Sequence, residues 1–348
     1  MRTRSLAGRS VAAIGLGDVS FARAAARNHD VAEVIRRVHD ALELSIDVID
    51  VAAEPDALRA VGDAVRATRA RDRAVIVTTV RLPDVRDVRG LQAQVEDQLR
   101  ATKLDGLPLV QLAPRVAWLA LPAWADLVGA CDRLVREGKV LAWGAIVDAA
   151  DVAINEPPKP PEPDPVFATT ASGLFVPTAA PPEPPKPQPK LAHPLALEMF
   201  GSLAVDFSLC ARAASPMLAA KQAVLAHRPL AGGALAGRLG PGAVLARTDD
   251  RRGVDLDAIA IGVAKLARFV KRPPPAARSS EAARAIAETA APREHVECTT
   301  IAELALRWAI DRGALALPRI VLRDDLDEAI AAASAPPLSA DLMKELDT

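Results

Sequence analysis

Ala41-Leu-Glu-Leu-Ser-Ile-Asp-Val-Ile-Asp-Val51 and, one helix later, Ala74-Val-Ile-Val-Thr-Thr-Val80 are the stretches whose reading decides the fold. Ile46 to Val51 is a short β-branched run, and residues 74 to 80 are apolar on both faces, as in a strand covered on both sides. Between them, Ala57 to Ala70 places Leu58, Val61 and Val65 on one helical face. A strand, a helix and a second strand in that order describe parallel strands joined by a helical crossover.

The same rhythm extends in both directions. A first strand is expected over Ser10 to Gly17, and Val31, Val34, Ile35, Val38 and Leu42 mark a helix before residue 44. After residue 80 come a helix over 91–99, a strand over 107–112, a helix over 124–137 and a strand over 140–147. Further on, the pattern predicts a strand over 202–207, a helix over 217–225, a Gly-rich loop over 229–239 and a helix over 259–270. Helices over 280–289 and 300–312, a strand over 314–322 and a helix over 324–333 complete it. About eight strand candidates alternating with helices predict a (β/α)8 TIM barrel, a fold of roughly 250 residues before insertions.

One stretch breaks the rhythm. Pro157-Pro-Lys-Pro-Pro-Glu-Pro163 and Pro181-Pro-Glu-Pro-Pro-Lys-Pro-Gln-Pro-Lys190 belong to a segment, 157–189, that holds nearly half of the chain's prolines. Proline lacks a backbone donor and favours extended polyproline II, so this segment joins neither sheet nor helix. The chain therefore divides into a first part of the barrel (1–154), a proline-rich insertion after the fifth-strand region (155–194) and a second part of the barrel (195–348). Spacings such as Pro182-Glu-Pro-Pro185 suit docking to an aromatic groove on a protein partner, and equally suit a spacer.

Composition narrows the function. Net charge is -1, from 43 basic and 44 acidic residues, so no nucleic-acid partner is expected. No run is long and apolar enough for a membrane span, and the short apolar stretch after Arg9 reads as a strand, so a cytoplasmic protein is expected. Cys131, Cys210 and Cys298 are far apart and odd in number, and read as reduced, buried residues. Half of the residues are hydrophobic, yet aromatics make up only 3% and tyrosine is absent.

Five stretches, in order, resemble the aldo-keto reductase family. They are Val11-Ala-Ala-Ile-Gly-Leu-Gly17, Ala41 to Asp50, Leu134-Val-Arg-Glu-Gly-Lys-Val140 with Trp143-Gly144, Ala226-His-Arg-Pro-Leu-Ala-Gly-Gly-Ala-Leu-Ala-Gly-Arg238, and Ile301-Ala-Glu-Leu-Ala-Leu-Arg-Trp-Ala309. The resemblance implies reversible hydride transfer between NADP(H) and a carbonyl. The family's proton donor is a tyrosine whose anion a lysine stabilises, with an aspartate holding the lysine and a histidine orienting the carbonyl. Here Asp50 matches the aspartate, while the tyrosine, lysine and histidine fall at Pro55, Thr79 and Ala113. The groups that hold the nicotinamide amide fall at Ile146, Val147 and Ala204, and the tyrosine that stacks on it falls at His227. Its phosphate-side motif falls at Leu317-Pro-Arg-Ile-Val321, and Pro229, Leu230, Gly232 and Gly233 retain the outline of a phosphate loop.

The expectation is therefore a catalytically inactive barrel acting as a binding, scaffold or regulatory subunit, a pseudoenzyme with no cofactor, or NADP(H) if any. The alternative is a divergent NADP(H)-dependent oxidoreductase, with Glu54 or Asp50 as acid and His227 against the cofactor. A third option is a different barrel chemistry run by strand-end carboxylates. Asp50 also reads simply as a strand-end carboxylate capping the next helix. No metal is expected at Asp50, Glu54 and Asp56, and Gly15-x-Gly17, followed by Ser20, reads as a turn. Arg319 and Arg323 read as an anion site or a solvated loop, and His29, His39, His193 and His295 as surface residues.

Overall fold

The computed structural model describes residues 1–80, 87–112, 124–147, 199–249, 251–274, 280–289 and 296–347. Ala113, His193, His295 and the proline-rich segment lie outside them. A hairpin of β1 (Thr3–Leu6) and β2 (Arg9–Ala12) precedes eight parallel strands. These are β3 (Leu16–Val19), β4 (Val48–Val51), β5 (Val75–Val80), β6 (Leu109–Leu112), β7 (Trp143–Val147), β8 (Ser202–Asp206), β9 (Ala223–His227) and β10 (Leu315–Leu317). Each pairs with its neighbours in chain order. Between β10 and β3 the ring is closed by backbone bonds: Gly15 N–H donates to the Ala316 carbonyl (2.9 Å), Gly17 N–H to Pro318 (2.8 Å) and Ala316 N–H to Ala13 (3.0 Å). The architecture is the expected (β/α)8 barrel.

Strand alternation sorts the side chains. Val48, Val75, Val77, Leu109, Ala204, Leu225, Leu315 and Leu317 fill the interior, and Leu6 and Val11 of the hairpin close its floor. On the outer face Ile49, Val51 and Ile76 pack beneath α2 (Val31–Glu43) and α3 (Pro55–Ala67). Val110, Leu112, Trp143 and Leu203 face the other helices, among them α4 (Val88–Thr102), α5 (Trp124–Arg136), α6 (Leu256–Leu266) and α8 (Ile301–Asp311). With few aromatic rings, this outer core is mostly aliphatic, and Phe207 stacked on Trp308 at 4.7 Å is an exception.

The structure corrects several expected elements. Residues 217–225 are not a helix: a 3₁₀ turn spans Ser215–Ala219, and β9 follows it. The alanine-rich composition favours a helix, but backbone pairing to both β8 and β10 overrides it. The stretch 10–17 is not one strand, because β2 ends at Ala12 and β3 begins at Leu16. β10 ends at Leu317, before Pro318, which has no N–H for a ladder. Three helices complete the set: α1 (Phe21–Ala26), α7 (Glu281–Thr289) as expected, and α10 (Ala340–Asp347). With α9 (Arg323–Ser334) they finish the helical layer. Cys131 and Cys298 are buried as expected, but Cys210 is exposed.

Gly17 is where closure is tightest. A Cβ there would lie 2.1 Å from the Leu317 carbonyl oxygen, whereas a Cβ on Gly129 of α5 would meet nothing within 4 Å. Gly17→Ala is therefore expected to destabilise the barrel by about 3 kcal/mol, and Gly129→Ala to stabilise it by up to about 1 kcal/mol. Urea denaturation reads both, and a neutral Gly17→Ala would contradict this account of closure.

Candidate functional site

The C-terminal ends of the strands open into a cleft of about 1350 Å³. Asp50, Thr79, Ile146, Val147, His227, Pro229, Leu230 and Gly232 all line it, so residues far apart in sequence meet at one mouth. Alternation explains why: in β4 Val48 and Asp50 point inward while Ile49 and Val51 point out, and His227 is an inward position of β9.

Asp50 does not cap the following helix. Its carboxylate accepts the Asp18 N–H at 3.1 Å, and its Oδ2 lies 3.8 Å from His227 Nε2. That amide is presented because Asp18 has a φ of 55° where the β3–β4 register shifts. The Asp50 side chain is only 13% exposed. Burial pushes its carboxyl above the usual range, with His227 and the Asp18 amide pulling the other way.

Pro55 is the first residue of α3, where its missing N–H costs no helical bond. Glu54 before it is not a poised acid. Its carboxylate accepts Ser20 Oγ–H at 2.5 Å and the N–H groups of Phe21 and Ala22 at 2.8 and 3.1 Å. It caps α1 across the loop, at the positive end of that helix. Thr79 lines the cleft, and Ile146 and Val147 present no polar group to a ligand.

The sequence reading missed most of the cleft's charge. Arg23, Arg27, Arg228, Arg238 and Arg251 line it beside Arg319, and so does His29, which is half-buried rather than a surface residue. Arg319 is only 14% exposed, with Nη1 3.8 Å from Asp18, so it does not belong to a solvated loop. Arg323 instead pairs with Asp327 and Asp40 on the helical layer. Arg251 is gripped by Asp249, with Nε to Oδ1 at 2.9 Å and Nη2 to Oδ2 at 2.7 Å, and its Nη1 donates to the Gly232 carbonyl at 3.0 Å. This ties the Gly-rich loop to the following segment, and the bonds from Arg251 hold the Asp249 carboxyl far below the usual range. Among the described residues no group of three His, Cys, Asp or Glu is placed to hold a metal ion, and no helix is long and apolar enough to cross a membrane.

No protein-family model matches the chain, and no curated protein matches its sequence. Solved structures do. The holo form of aldo-keto reductase AKR11C1 from Bacillus halodurans superposes with a TM-score of 0.63 at 15% identity, covering 100% of this chain and 95% of that one. The glycerol dehydrogenase AKR11B4 from Gluconobacter oxydans gives 0.64 at 16%, covering 99% and 93%. An aldo-keto reductase from Klebsiella pneumoniae, in complex with NADPH, gives 0.57 at 23%, covering 100% and 95%. The chain has the aldo-keto reductase fold. On that fold Pro55 opens α3, while Thr79 lines the mouth together with an arginine-lined wall that five short motifs did not reveal.

Two contacts here are open to measurement. Glu54→Ala is expected to cost about 1–2 kcal/mol and to speed amide hydrogen exchange at Phe21 and Ala22. Unchanged exchange there would refute the cap. Asp249→Asn is expected to cost about 2–3 kcal/mol at pH 7. Because the folded carboxyl is held below its unfolded range near 4, that stability is present above about pH 4 and fades as pH falls further. The gap between wild type and variant should therefore be full above about pH 5 and narrow progressively as pH falls through and below the unfolded carboxyl range.

Proposed function

We propose that this protein is a catalytically inactive barrel of the aldo-keto reductase fold, serving as a binding, scaffold or regulatory subunit. The observation that carries the reading is Pro55. The position that would bring a phenol into the mouth is built into the first turn of α3, and its ring moves no proton. The neighbouring acid, Glu54, is consumed by α1. Thr79 places no cation beside Asp50, and the Asp18 N–H and His227 have taken over that carboxylate.

NADP(H) is the cofactor to weigh, since the Klebsiella protein is described with NADPH. The cleft fits it at one end only. Arg238, Arg251 and Arg319 beside the Gly232 loop suit phosphates, but Ile146, Val147 and Ala204 offer no partner to a nicotinamide carboxamide, so we derive no hydride step. The proline-rich segment 157–189 is the proposed arm for a protein partner, and the setting we propose is cytoplasmic.

A divergent NADP(H)-dependent carbonyl reductase is the competing reading. The pair of Asp50, whose carboxyl is pushed up, and His227 at 3.8 Å speaks for it. Incubating the protein with NADPH and a panel of aldehydes and ketones, and following absorbance, separates the two. We expect no oxidation above the blank, in wild type and in Asp50→Asn alike. Turnover that Asp50→Asn abolishes would overturn the inactive reading. Partner recovery from lysate should also fall when residues 155–190 are deleted, and equal recovery would count against the arm.

A further inference from the structure

We propose that the floor of the cleft binds a primary ammonium group through Asp50, Thr79 and His227, and that the ligand carrying it has a short apolar stem. This deepens the reading of the mouth as a binding site and rests on it. A buried carboxylate short of a cation is what points to it.

Three side chains from three strands meet at this floor. Asp50 of β4, Thr79 of β5 and His227 of β9 all line the cleft. Val48, Val77 and Leu225, two residues before each, belong to the barrel interior, so strand alternation points all three inward. Val77 pairs with Asp50, which sets Thr79 one inward step nearer the mouth on the adjoining strand. His227 reaches across from another side of the ring, with Nε2 3.8 Å from Asp50 Oδ2, too long for a hydrogen bond. Each of the three keeps unused capacity. Asp50 Oδ2 accepts the Asp18 N–H, and Oδ1 takes no hydrogen bond from a described residue. The Thr79 carbonyl is taken by Gln98, while its hydroxyl is bonded to no described residue. His227 Nε2 is buried without a hydrogen-bond partner among the described residues. Gln111, the inward residue of β6 paired with Thr79, is fully buried, and neither atom of its amide has a partner there. Its oxygen stands on the adjoining strand to accept the Thr79 hydroxyl, which turns the Thr79 lone pairs to a ligand.

The unused capacity is that of acceptors. A primary ammonium has three donors and accepts nothing. It matches Asp50 Oδ1, Thr79 Oγ1 and, with the ring proton on Nδ1, His227 Nε2. Burial raises the Asp50 carboxyl more than His227 and the Asp18 amide lower it, so a cation placed here gains from a carboxylate with no competing one. The arginines of the rim do not meet that need, because acids of their own answer them. Asp18 lies 2.7 Å from Arg23 and 3.8 Å from Arg319, Asp206 lies 3.5 Å from Arg228, and Arg238 and Arg251 pair with Asp325 and Asp249. Around the floor, Ile146, Val147, Leu230 and Leu317 line the walls, a surface for a short alkyl or benzyl stem.

The test uses the full chain and three probes of one shape. Benzylammonium, benzyl alcohol, which lacks the charge, and benzyltrimethylammonium, which lacks the N–H donors, are titrated by calorimetry into wild type. We expect saturable binding of benzylammonium, about tenfold or more tighter than either of the others. Benzylammonium is then titrated into Asp50→Asn, Thr79→Val and the outlying control Arg323→Gln. Asp50→Asn should weaken binding about tenfold or more, Thr79→Val by about threefold to tenfold, and the control should match wild type. In wild type the His227 ring resonances, followed by NMR, should move as benzylammonium saturates the site. No saturable binding at millimolar benzylammonium overturns the proposal without recourse to any variant. Equal binding of benzyl alcohol or of benzyltrimethylammonium overturns it too, since an apolar cleft or bare charge then suffices. Binding that Asp50→Asn leaves intact, or that the His227 ring ignores, places the ammonium elsewhere and also overturns it. None of these outcomes touches catalytic inactivity, which the carbonyl panel decides separately.

Discussion

A ring of parallel strands must close on itself, and here closure rests on Gly15 and Gly17 lying against Ala316 to Pro318. Sheet edges left open pair with other chains, and closure removes them. At Gly17 the β10 backbone comes too close for a side chain, and at Gly15 the Val48 carbonyl and the Leu317 side chain leave no room for one. Once the ring is shut, the in-and-out alternation of every strand is set relative to one interior, and the strand ends share one rim. Asp50, Thr79, Ile146 and His227 are neighbours only because of that geometry. The left-handed turn at Asp18, immediately after Gly17, then presents the amide that Asp50 accepts. Closure and site are thus joined through adjacent residues.

The rim also shows how a buried carboxylate persists without a lysine. Removing one partner of a buried ion pair leaves a charge that is expensive to keep. Asp50 meets that cost in two visible ways: a backbone N–H from Asp18, and the approach of His227 from across the barrel. Its raised carboxyl pKa shows that they offset burial only in part. Elsewhere on the rim the balance is better. Asp249 is only 2% exposed, yet two bonds from Arg251 keep it ionised, and the third arm of that arginine holds the Gly-rich loop.

Much of the fold was legible because its signals are local. β-branched runs such as 74–80 and helical faces such as Leu58, Val61 and Val65 need no distant information. β9 was not, since Ala223 to Ala226 is alanine-rich and only pairing with its two neighbours makes it a strand. The site divides along the same line. Asp50 and Thr79 lie in strands that local signals mark, His227 was reached only through the Ala226–Arg238 motif, and all three line the cleft. The arginines could not: they sit on three loops whose convergence is a property of the closed barrel, and each alone looks like a solvated charge. The contacts of Glu54 were not legible for a related reason, because its partners, Ser20, Phe21 and Ala22, lie more than thirty positions earlier.

These features bear on what the barrel can still do. Proton donation to a carbonyl needs an acid whose pKa a neighbouring cation brings into range, and such a pair works as a unit. With proline at one position and threonine at the other, restoring either alone would add a phenol without its cation or a cation without its phenol. Phosphate recognition has no such mutual dependence, since each guanidinium contributes its own charge and donors. Loss of hydride chemistry, as proposed above, therefore places no demand on the arginines that line the same cleft as Ile146 and Val147.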